Sequence, residues 1–532
     1  MPVVNGSRAT DHGTVLRPVP TRTQTTWAAL SGVVAGAAGI GISDLAAWLV
    51  NPAGSPLAAV GSVIIGLLPA GMVNFGKDTL GTADKPILVT IVALGVIVLA
   101  GLGGVAELRR RGAGAAVFAL VAAVGLVSVA LGSGSDAAAY VPTIVGLLLA
   151  FMLLSTLLTR LRRWQPARAA VRPGGPADPA RRGFLVATSI FGVLAAAAVV
   201  GGRVLVGAAN RVSAARSDLR LPAPATPAPA VPAGADLALE DLSPYLTPNA
   251  DFYRIDTALQ VPVIDPAKWS IRVVGMVEQE VSMTFDELLA LPLVEHVTTL
   301  TCVSNEVGGN LVGNATWLGY PIRDLLARAR PLPGADMVLS RSEDGFTAGT
   351  PVDALTDPDR QALLAVGMNG EPLPLEHGFP VRMVVPGLYG YVSATKWVVE
   401  LKLTTFAADE GYWTPLGWSA RGPIKLASRI DVPGGNVPAG TVAVAGVAWA
   451  QHTGVGKVEV QVDDGPWSAA ELAQTTGPDT WVQWHYAWDA APGAHRLTVR
   501  TTDAKGTVQV ADEAPPAPDG SSGYHSVRVT VG

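Results

Sequence analysis

The most informative stretch of the chain for its fold is VTTLTCVSNEVGGNLVGNATWLGYPIRDLL, which runs from Val297 to Leu326. Its first residues, Val297–Thr301, are apolar or β-branched, which predicts a buried strand. Cys302 is the only cysteine of the chain and stands at the end of that strand, shortly before the pair Gly308-Gly309 that is typical of a loop. A thiol at a strand end beside a glycine loop can be presented to a ligand. The alternative is that Cys302 is a small buried apolar residue.

Length and charge set the next limits. At 532 residues the chain exceeds one ordinary domain, and its formal net charge of -5 argues against a nucleic-acid binder. A single cysteine excludes an intrachain disulfide. Only 15% of the residues are charged, and the apolar residues concentrate in the first 206 positions. The sequence therefore predicts several domains, of which the first lies in a membrane.

Six apolar runs in that first part are near the length of about 20 residues that crosses a bilayer. They are Trp27–Val50, Pro56–Val73, Pro86–Ala106, Ala113–Leu131, Ala138–Leu158 and Gly183–Val206. Arginines follow the third run and separate the fifth from the sixth, so the positive-inside rule places both loops in the cytoplasm. These arginines are Arg109, Arg110, Arg111, Arg160, Arg162, Arg163, Arg168, Arg172, Arg181 and Arg182. We expect a multi-pass protein of the cell membrane, with a tail at residues 1–26 and everything after Val206 extracytoplasmic.

Two details of the predicted membrane domain, residues 27–206, bear on its function. Asp44 lies inside the first run, where a carboxylate is costly. It is either functional or structural, as the cap of a re-entrant turn or a contact to a neighbouring helix. The six runs contain no histidine. A bis-histidine haem carried inside this domain is therefore excluded by composition.

An arginine pair precedes the sixth run. The segment Asp178-Pro-Ala-Arg-Arg-Gly-Phe-Leu185 resembles a twin-arginine export signal, in which two arginines precede a bulky apolar pair. Such signals direct proteins that fold before they cross the membrane. Here the apolar segment would remain as an anchor. The alternative is that Arg181 and Arg182 are ordinary cytoplasmic charges.

The remainder of the chain divides into a linker and two domains. Residues 207–245 contain the run Leu221–Pro232, whose prolines favour an extended semi-rigid spacer that holds the next domain away from the membrane. From 246 to 423 short apolar strands alternate with helical stretches, which predicts an α+β domain with a mixed sheet. From 424 to 532 the period changes to two, with turns at Asp464-Gly465 and Pro492-Gly493, which predicts an immunoglobulin-like β-sandwich. Its core is expected to hold at least two of Trp467, Trp481, Trp484 and Trp488.

Four segments of residues 249–532 together resemble the sulfite oxidase family of molybdopterin-dependent oxidoreductases. They are Asn249-Ala-Asp-Phe-Tyr-Arg254, Thr301-Cys-Val-Ser-Asn305, the stretch from Asn369 through His377 and Arg382 to Gly387, and Ala394-Thr-Lys-Trp397. In this family the fold is an α+β cofactor domain followed by a sandwich through which the protein dimerises. The resemblance therefore implies an oxidoreductase with a molybdenum–molybdopterin cofactor, and a homodimer through residues 424–532.

The resemblance also implies the site residues. Cys302 would ligate molybdenum, for which a soft thiolate is suited. Arg382 and Lys396 would bind the cofactor phosphate through charge-assisted hydrogen bonds, and His377 would donate to the pterin. Arg254 would border the cofactor and contact an anionic substrate. The complete implied set is Asn249, Phe252, Tyr253, Arg254, Cys302, Ser304, Asn305, His377, Arg382, Ala394, Thr395 and Lys396.

The chain departs from the family's pattern after the cysteine. Sulfite-oxidising members carry arginines where this chain has Glu306 and Val307. An acid beside the metal would favour a neutral or cationic small molecule, such as a sulfoxide, over the sulfite dianion. The chain also lacks a haem-binding unit, so a separate electron carrier or membrane redox partner is expected.

Two other classes of protein remain as alternatives. A membrane receptor without cofactor would use the external domain as a binding module. A cysteine hydrolase would need a histidine beside Cys302, for which His296 and His377 are available, although no acyl-transfer motif surrounds them. No GxxxxGK[ST] phosphate loop is present, so nucleotide binding is not expected.

Replacing Arg181 and Arg182 together by lysine tests the export signal. The double substitution keeps the charge, so the positive-inside orientation should survive while recognition by the export receptor is lost. Protease accessibility of residues 424–532 in intact cells should therefore fall strongly. Normal accessibility would mean that the two arginines serve only as cytoplasmic charges.

Overall fold

The computed structural model describes residues 21–50, 55–68, 72, 84–131, 137–163, 179–204, 212, 215–258 and 261–532. Two compact units divide the chain, Met1–Leu205 and Val206–Gly532. The predicted tail up to residue 20 and the arginine-rich loop at 164–178, with Arg168 and Arg172, lie outside the described residues.

The first unit is helical. Its helices are α1 (Arg22–Val50), α2 (Pro56–Leu67), α3 (Asp84–Arg109), α4 (Ala113–Leu131), α5 (Val141–Arg163) and α6 (Pro179–Val204), with a 3-10 turn at Ala137–Tyr140. Within the described residues, four segments are long and apolar enough to cross a membrane: Arg22–Ala47, Ile87–Arg109, Ala113–Leu131 and Ala137–Arg163. They agree with the first, third, fourth and fifth predicted runs. The sixth run falls in α6, whose side chains are described only to Val193, so that span stays a prediction.

The second predicted run is not a spanning helix over its described part. Helix α2 has 12 residues, which corresponds to about 18 Å, whereas the hydrocarbon core of a bilayer is about 30 Å thick. It ends because Leu68 takes an extended conformation, with ψ of 140°. Leu68 precedes Pro69, and the residue before a proline is driven out of the helical region by the proline ring.

Asp44 makes a structural contact. Its Oδ1 accepts a hydrogen bond of 2.9 Å from the hydroxyl of Ser55, and Ser55 is the N-cap of α2. The carboxylate therefore ties the first helix to the start of the short second one. This contact favours the structural interpretation of Asp44 over the functional one.

Residues 261–423 form two sheets with short helices between them. The first sheet has the strand order β2-β1-β10-β5-β6 and is mixed, because β1 and β10 are parallel while the other neighbours are antiparallel. The second sheet is antiparallel with the order β3-β4-β7-β8, and β9 pairs with β7. Their strands are β1 (Ser270–Gly275), β2 (Val281–Thr284), β3 (Val294–Thr301), β4 (Val312–Pro321), β5 (Met337–Ser342), β6 (Thr347–Pro351), β7 (Leu363–Met368), β8 (Glu371–Pro372), β9 (Arg382–Val384) and β10 (Val398–Thr404).

The helices of this region are short and pack on the sheets. They are α7 (Phe285–Leu289), α8 (Ile322–Ala329), α9 (Val352–Thr356) and α10 (Gly390–Ser393), with 3-10 turns at Pro266–Lys268, Leu375–His377 and Thr414–Leu416. One buried core contains Val273 of the first sheet, Leu364 of the second and Leu326 of α8. The core therefore lies between the two sheets and holds rigid the loops at their ends, where Cys302 and the segment 375–397 are found.

Residues 424–532 form two sheets that face each other. Their orders are β11-β13-β17-β16 and β12-β19-β18-β14-β15. The strands are β11 (Ala427–Val432), β12 (Gly435–Val437), β13 (Gly440–Trp449), β14 (Val455–Val462), β15 (Trp467–Ala469), β16 (Glu471–Leu472), β17 (Val482–Ala490), β18 (Gly493–Asp503) and β19 (His525–Val531). Trp481, Trp484 and Trp488 are buried as expected, whereas Trp467 is half-buried beneath Arg500. We call this region the sandwich; its immunoglobulin-type topology stays a prediction.

The predicted spacer is wrong for residues 215–245, which we call the arm. Residues 215–218 of the arm are helical and most of the remainder is extended, and the arm packs on the rest of the second unit: Thr226 bridges Val294 of β3, and the amide of Ala225 donates to the carbonyl of Leu293 at 2.7 Å. Further along, the amide of Leu237 donates to Gln483 of the sandwich. Extended proline-rich backbone has no internal hydrogen bonds, so its polar groups are available to pair with a strand edge.

Candidate functional site

The loop after β3 presents Cys302. The amide of Cys302 donates to the carbonyl of Leu311 at 2.9 Å, and the amide of Asn305 donates to the carbonyl of Cys302 at 3.0 Å. Asn305 is buried, and its side-chain oxygen accepts from the amide of Leu311 at 2.8 Å. The role of Asn305 is therefore to close the loop. Cys302 itself is buried, at 8% exposure, and lines a cavity.

That cavity collects residues from distant parts of the chain. Seven of the sequence-predicted site residues line it: Phe252, Tyr253, Cys302, Ser304, Arg382, Ala394 and Lys396. The other lining residues are Ile255, Asp256, Thr257, Val303, Ser342, Asp344, Phe346, Gly390, Tyr391, Trp397, Trp413 and Trp418. The four segments of the resemblance thus meet at one place, although Arg254, Asn249, Asn305, His377 and Thr395 stand behind the lining.

Arg382 is a buried cation on the cavity wall. Its guanidinium donates to the carbonyls of His377 at 3.2 Å and Met383 at 3.3 Å, and it lies 5.1 Å from the ring centre of Trp317. Within the described part of the chain, no carboxylate forms an ion pair with it. Burial lowers the pKa of Arg382 to about 10. A buried cation whose partners are neutral is strongly destabilising unless an anion completes the site.

Lys396 and Arg254 share one carboxylate. The ammonium of Lys396 donates to Asp256 Oδ2 at 3.0 Å and to the carbonyl of Glu376 at 2.9 Å. Arg254 donates to the same Oδ2 atom at 2.9 Å. Burial lowers the pKa of Lys396 to about 8, against the opposing attraction of Asp256. Since Arg254 lies outside the lining and is held by Asp256, the structure does not bring it to a substrate.

His377 is buried behind the cavity as a neutral acceptor. Its Nε2 lies 3.2 Å from the carbonyl oxygen of Asn249, which can only accept, so Nε2 carries the proton. Burial, with the nearby Lys396 and Arg382 charges, lowers the pKa of His377 to about 3. Its Nδ1 is buried and has no hydrogen-bond partner among the described residues. The expected donation from His377 to the pterin stays a prediction; with Nε2 bonded to Asn249, the other ring nitrogen, Nδ1, is an acceptor.

Two residues of the predicted site, Asn249 and Thr395, make contacts within the protein and do not line the cavity. Asn249 accepts a hydrogen bond of 2.9 Å from the side chain of Asn369 and donates to the carbonyl of Met368. Thr395 is fully buried, and its hydroxyl pairs with that of Ser340 at 2.7 Å. Both therefore position the segments that carry Phe252 and Lys396.

Glu306 was expected to place an acid beside the metal, and its position shows that this expectation is wrong. Glu306 is exposed and is absent from the cavity lining. The acids that do line the cavity are Asp256 and Asp344, and burial raises the pKa of Asp344. Asp256 stands two residues beyond Arg254, and Asp344 belongs to the Asp344-Gly345 turn between β5 and β6. Only that turn was visible in the sequence, and it carried no sign of function.

An aromatic rim was also missed. We give this name to Phe346, Tyr391, Trp413 and Trp418, which line the cavity and are half-buried. The ring centres of Tyr391 and Trp418 are 6.0 Å apart, and those of Trp413 and Trp418 are 6.2 Å apart. The hydroxyl of Tyr391 donates to the carbonyl of Ser419 at 2.6 Å, which fixes its ring. The only signal in the sequence was the concentration of aromatic residues between 412 and 418.

Neither candidate for a hydrolase histidine reaches the thiol. His296 Nε2 lies 2.9 Å from Asp479 Oδ2 in the sandwich, and His377 bonds to Asn249. Both are absent from the cavity lining around Cys302. The arrangement therefore lacks the nucleophile–base contact of a cysteine hydrolase.

Comparisons with known proteins agree with the family that the cavity residues resemble. A family model described as oxidoreductase molybdopterin binding domain matches residues 258–413. The uncharacterized oxidoreductase YuiH of Bacillus subtilis is 34% identical over 158 residues, which are 30% of this chain and 76% of that protein. Mitochondrial sulfite oxidase of Mus musculus is 31% identical over 271 residues, which are 43% of this chain and 49% of that protein. The chain therefore spans about half the length of the mitochondrial relatives.

Among solved structures, the sulfane dehydrogenase SoxCD of Paracoccus pantotrophus matches with a TM-score of 0.48 at 23% identity. The match covers 55% of this chain and 82% of that chain.

The pKa of His377 predicts a loss of stability in acid. The folded cofactor-free protein keeps His377 neutral down to about pH 3, whereas the unfolded chain binds a proton near pH 6.5. Between these values acid therefore favours unfolding, and His377 contributes at most about 1.4 kcal/mol per pH unit. Urea unfolding of the unit Val206–Gly532 between pH 4.5 and 6.5 should show a shallower pH slope for His377→Gln than for the native sequence.

A matched control is His485→Gln, because His485 is half-buried on the sandwich beside Glu471. It shows how far the removal of a histidine elsewhere in this unit changes the slope by itself. Equal slopes for the native protein and His377→Gln would show that His377 is protonated in the folded state.

Proposed function

The chain belongs to the sulfite oxidase family of molybdopterin-dependent oxidoreductases, and we propose that it is a membrane-anchored, extracytoplasmic member acting on a small organic oxo-compound. The proposed reaction is an oxygen-atom transfer or another two-electron redox step. For a sulfoxide substrate, two electrons and two protons convert the sulfoxide to a sulfide and water. The electrons would be exchanged with a separate carrier.

The cavity fits the molybdenum–molybdopterin cofactor. The anionic phosphate of the cofactor would neutralise the buried charge of Arg382, whose described partners are neutral. Lys396 would be a second donor to the phosphate. The unpartnered Nδ1 of His377 suits an N–H group of the pterin. Cys302 would supply the thiolate that holds molybdenum. When bound, the cofactor supplies the two-electron chemistry, and the chain supplies orientation and electrostatics.

The observation that carries the substrate class is the composition of the cavity wall. It carries two cations, Arg382 and Lys396, and two carboxylates, Asp256 and Asp344, of which Asp256 pairs with Lys396. Both cations would also bind the cofactor phosphate. The half-buried part of the lining includes the aromatic rim, which offers apolar and π contacts but no fixed positive charge. Such a wall favours a neutral organic molecule over the sulfite dianion.

The residues after Cys302 also support a neutral substrate over sulfite, but not because they place an acid beside the metal. Glu306 and Val307 stand where sulfite-oxidising members carry arginines. Because Glu306 is exposed and outside the lining, its effect is the loss of a cation and not the addition of a buried acid. Each lost charge-assisted hydrogen bond would remove roughly 1.5–3 kcal/mol from the binding of an anion.

The membrane domain and the partners are part of the proposal. Four helices are long and apolar enough to cross a membrane. The resemblance of Arg181-Arg182-Gly-Phe-Leu185 to an export signal supports a catalytic unit that folds in the cytoplasm and acts outside it. We propose that a redox partner in or near the membrane carries the electrons, that no haem is bound within the predicted spans, and that the protein dimerises through the sandwich.

Substitution of Cys302 by serine tests the assignment of the metal ligand. The nearly isosteric hydroxyl should keep the loop folded while the thiolate ligand is lost. Turnover should fall by at least about a hundredfold, since even residues that only support a metal ligand contribute 10–100-fold. Metal analysis should find about one molybdenum per chain in the native protein. Undiminished turnover with normal molybdenum loading in the variant would remove Cys302 from the mechanism.

Steady-state kinetics test the substrate class. With artificial electron carriers, kcat/KM for sulfite oxidation should lie about two powers of ten or more below that for reduction of an organic sulfoxide, because two cationic positions are missing. A sulfite kcat/KM near the diffusional ceiling would contradict the proposed pocket.

The aromatic rim supplies an internal check on the same measurement. Trp418→Ala should raise KM for an aryl methyl sulfoxide about three- to tenfold, the worth of one lost aromatic contact, and should leave that for dimethyl sulfoxide nearly unchanged. Trp467→Ala, which alters a tryptophan of the sandwich under Arg500, is the matched control and should change neither value.

A further inference from the structure

We propose that the sandwich positions the thiol of Cys302, and that Arg429, Ser521 and His525 are positioning residues that hold the loop 303–311. This inference rests on the proposed role of Cys302 as the metal ligand. It assigns to the sandwich a second role, which is separate from dimerisation.

The loop is closed by its own hydrogen bonds, but two of its carbonyl groups are bound from outside. The hydroxyl of Ser521 donates to the carbonyl of Asn305 at 2.6 Å. The guanidinium of Arg429 donates to the carbonyl of Gly309 at 2.7 Å. These two contacts lie three and seven residues after Cys302, so they restrain both sides of the loop's turn.

Arg429 is itself held in place. It lies in β11, is 8% exposed, forms an ion pair with Asp431 at 2.5 Å and donates to the hydroxyl of Ser243 in the arm at 2.7 Å. The amide of Ser243 in turn donates to Asp431 at 3.1 Å. A buried guanidinium with three fixed partners has little freedom left, so the position of the Gly309 carbonyl is set by the sandwich and the arm together.

His525 forms a wall against the middle of the loop. A Cβ atom on Gly308 would lie 2.3 Å from the imidazole of His525, and Gly308 has φ of +77°. The amide of Ile430 donates to His525 Nδ1 at 3.0 Å, which orients the ring. Only a glycine can take this backbone conformation so close to the ring. The loop therefore cannot move toward the sandwich without displacing His525.

The strand that precedes Cys302 is held from the same side. The amide of Thr299 donates to the carbonyl of Asp479 at 3.0 Å, and the amide of Trp481 donates to the hydroxyl of Thr299 at 2.7 Å. The side chain of Gln451 donates to the carbonyl of Thr299. Contacts from the sandwich therefore reach the backbone on both sides of Cys302.

These contacts have a measurable consequence for the thiol. Because Cys302 is 8% exposed and lines the cavity, an external reagent reaches the thiol slowly when the loop is closed and faster when the loop opens. Each contact that stabilises the closed loop lowers the rate of labelling in cofactor-free protein. Since Cys302 is the only cysteine of the chain, labelling of the full-length protein reports this one site.

The experiment measures the labelling rate of Cys302 in cofactor-free, full-length protein and the molybdenum content after loading. Ser521→Ala should speed labelling roughly fivefold, and Arg429→Gln roughly ten- to a hundredfold, from the usual worth of a neutral and a charge-assisted hydrogen bond. Arg429→Lys, which keeps the charge and one donor, should restore most of the protection. Molybdenum content should fall in the same order.

The matched control is Arg496→Gln, because Arg496 also lies in the sandwich and pairs with an aspartate, Asp464, but is half exposed. It should label at the native rate, and thermal unfolding of each variant checks that the fold is kept. If Arg429→Gln fails to fold, Ser521→Ala decides. Native labelling rates in Ser521→Ala and in folded Arg429 variants would overturn the inference.

The same samples separate this inference from the proposed function. If the loaded native protein holds molybdenum and its thiol is protected by the metal, Cys302 is the ligand, and the cofactor-free rates decide the role of the sandwich. If loaded protein labels like cofactor-free protein, the metal assignment fails and the inference about positioning a ligand fails with it.

Discussion

The buried guanidinium of Arg382 is the constraint on which the catalytic unit depends. Its described partners are two carbonyl oxygens and the ring of Trp317, and a buried ion with such partners costs several kcal/mol. Arg382 lies in strand β9, at the edge of the core between the two sheets, so its side chain is kept from solvent. The same positive charge acts on its neighbours, since it helps to lower the pKa of both His377 and Lys396. An anion bound in the cavity would relieve all three groups.

The cavity thus divides into a charged wall and an apolar rim. Arg382, Lys396 and Cys302 are buried, and the wall they form suits an anionic cofactor and its metal. The rim is assembled from three separate places: the turn between β5 and β6, helix α10, and the segment after β10. The rings of Tyr391, Trp413 and Trp418 lie close to one another, which gives the rim an apolar surface. This division separates the residues that suit the cofactor from the aromatic rim, on which the proposed substrate preference rests.

The thiol stands where two structural regions meet. Strand β3 belongs to the cofactor-binding region, but the loop after Cys302 is bound by side chains of the sandwich, and the arm completes the contact through Ser243. The arm contacts both β3 and Gln483, so it joins the two regions. The position of the Cys302 thiol therefore depends on contacts from both the cofactor-binding region and the sandwich.

The order of residues alone determined the features that depend on near neighbours. The apolar run before Cys302 became β3, a helical stretch of the predicted α+β domain became α8, and the period-two segments became sandwich strands. Four of the predicted spans are long apolar helices, and the motif residues identified the family. Only the tertiary structure decided that Glu306 is exposed, that Asp256 and Asp344 face the cavity, that the proline-rich arm is packed, and that His377 is an acceptor. The physical reason is that charge state and ligand contact depend on burial and on side chains brought together from distant positions, whereas periodicity and turn chemistry are local.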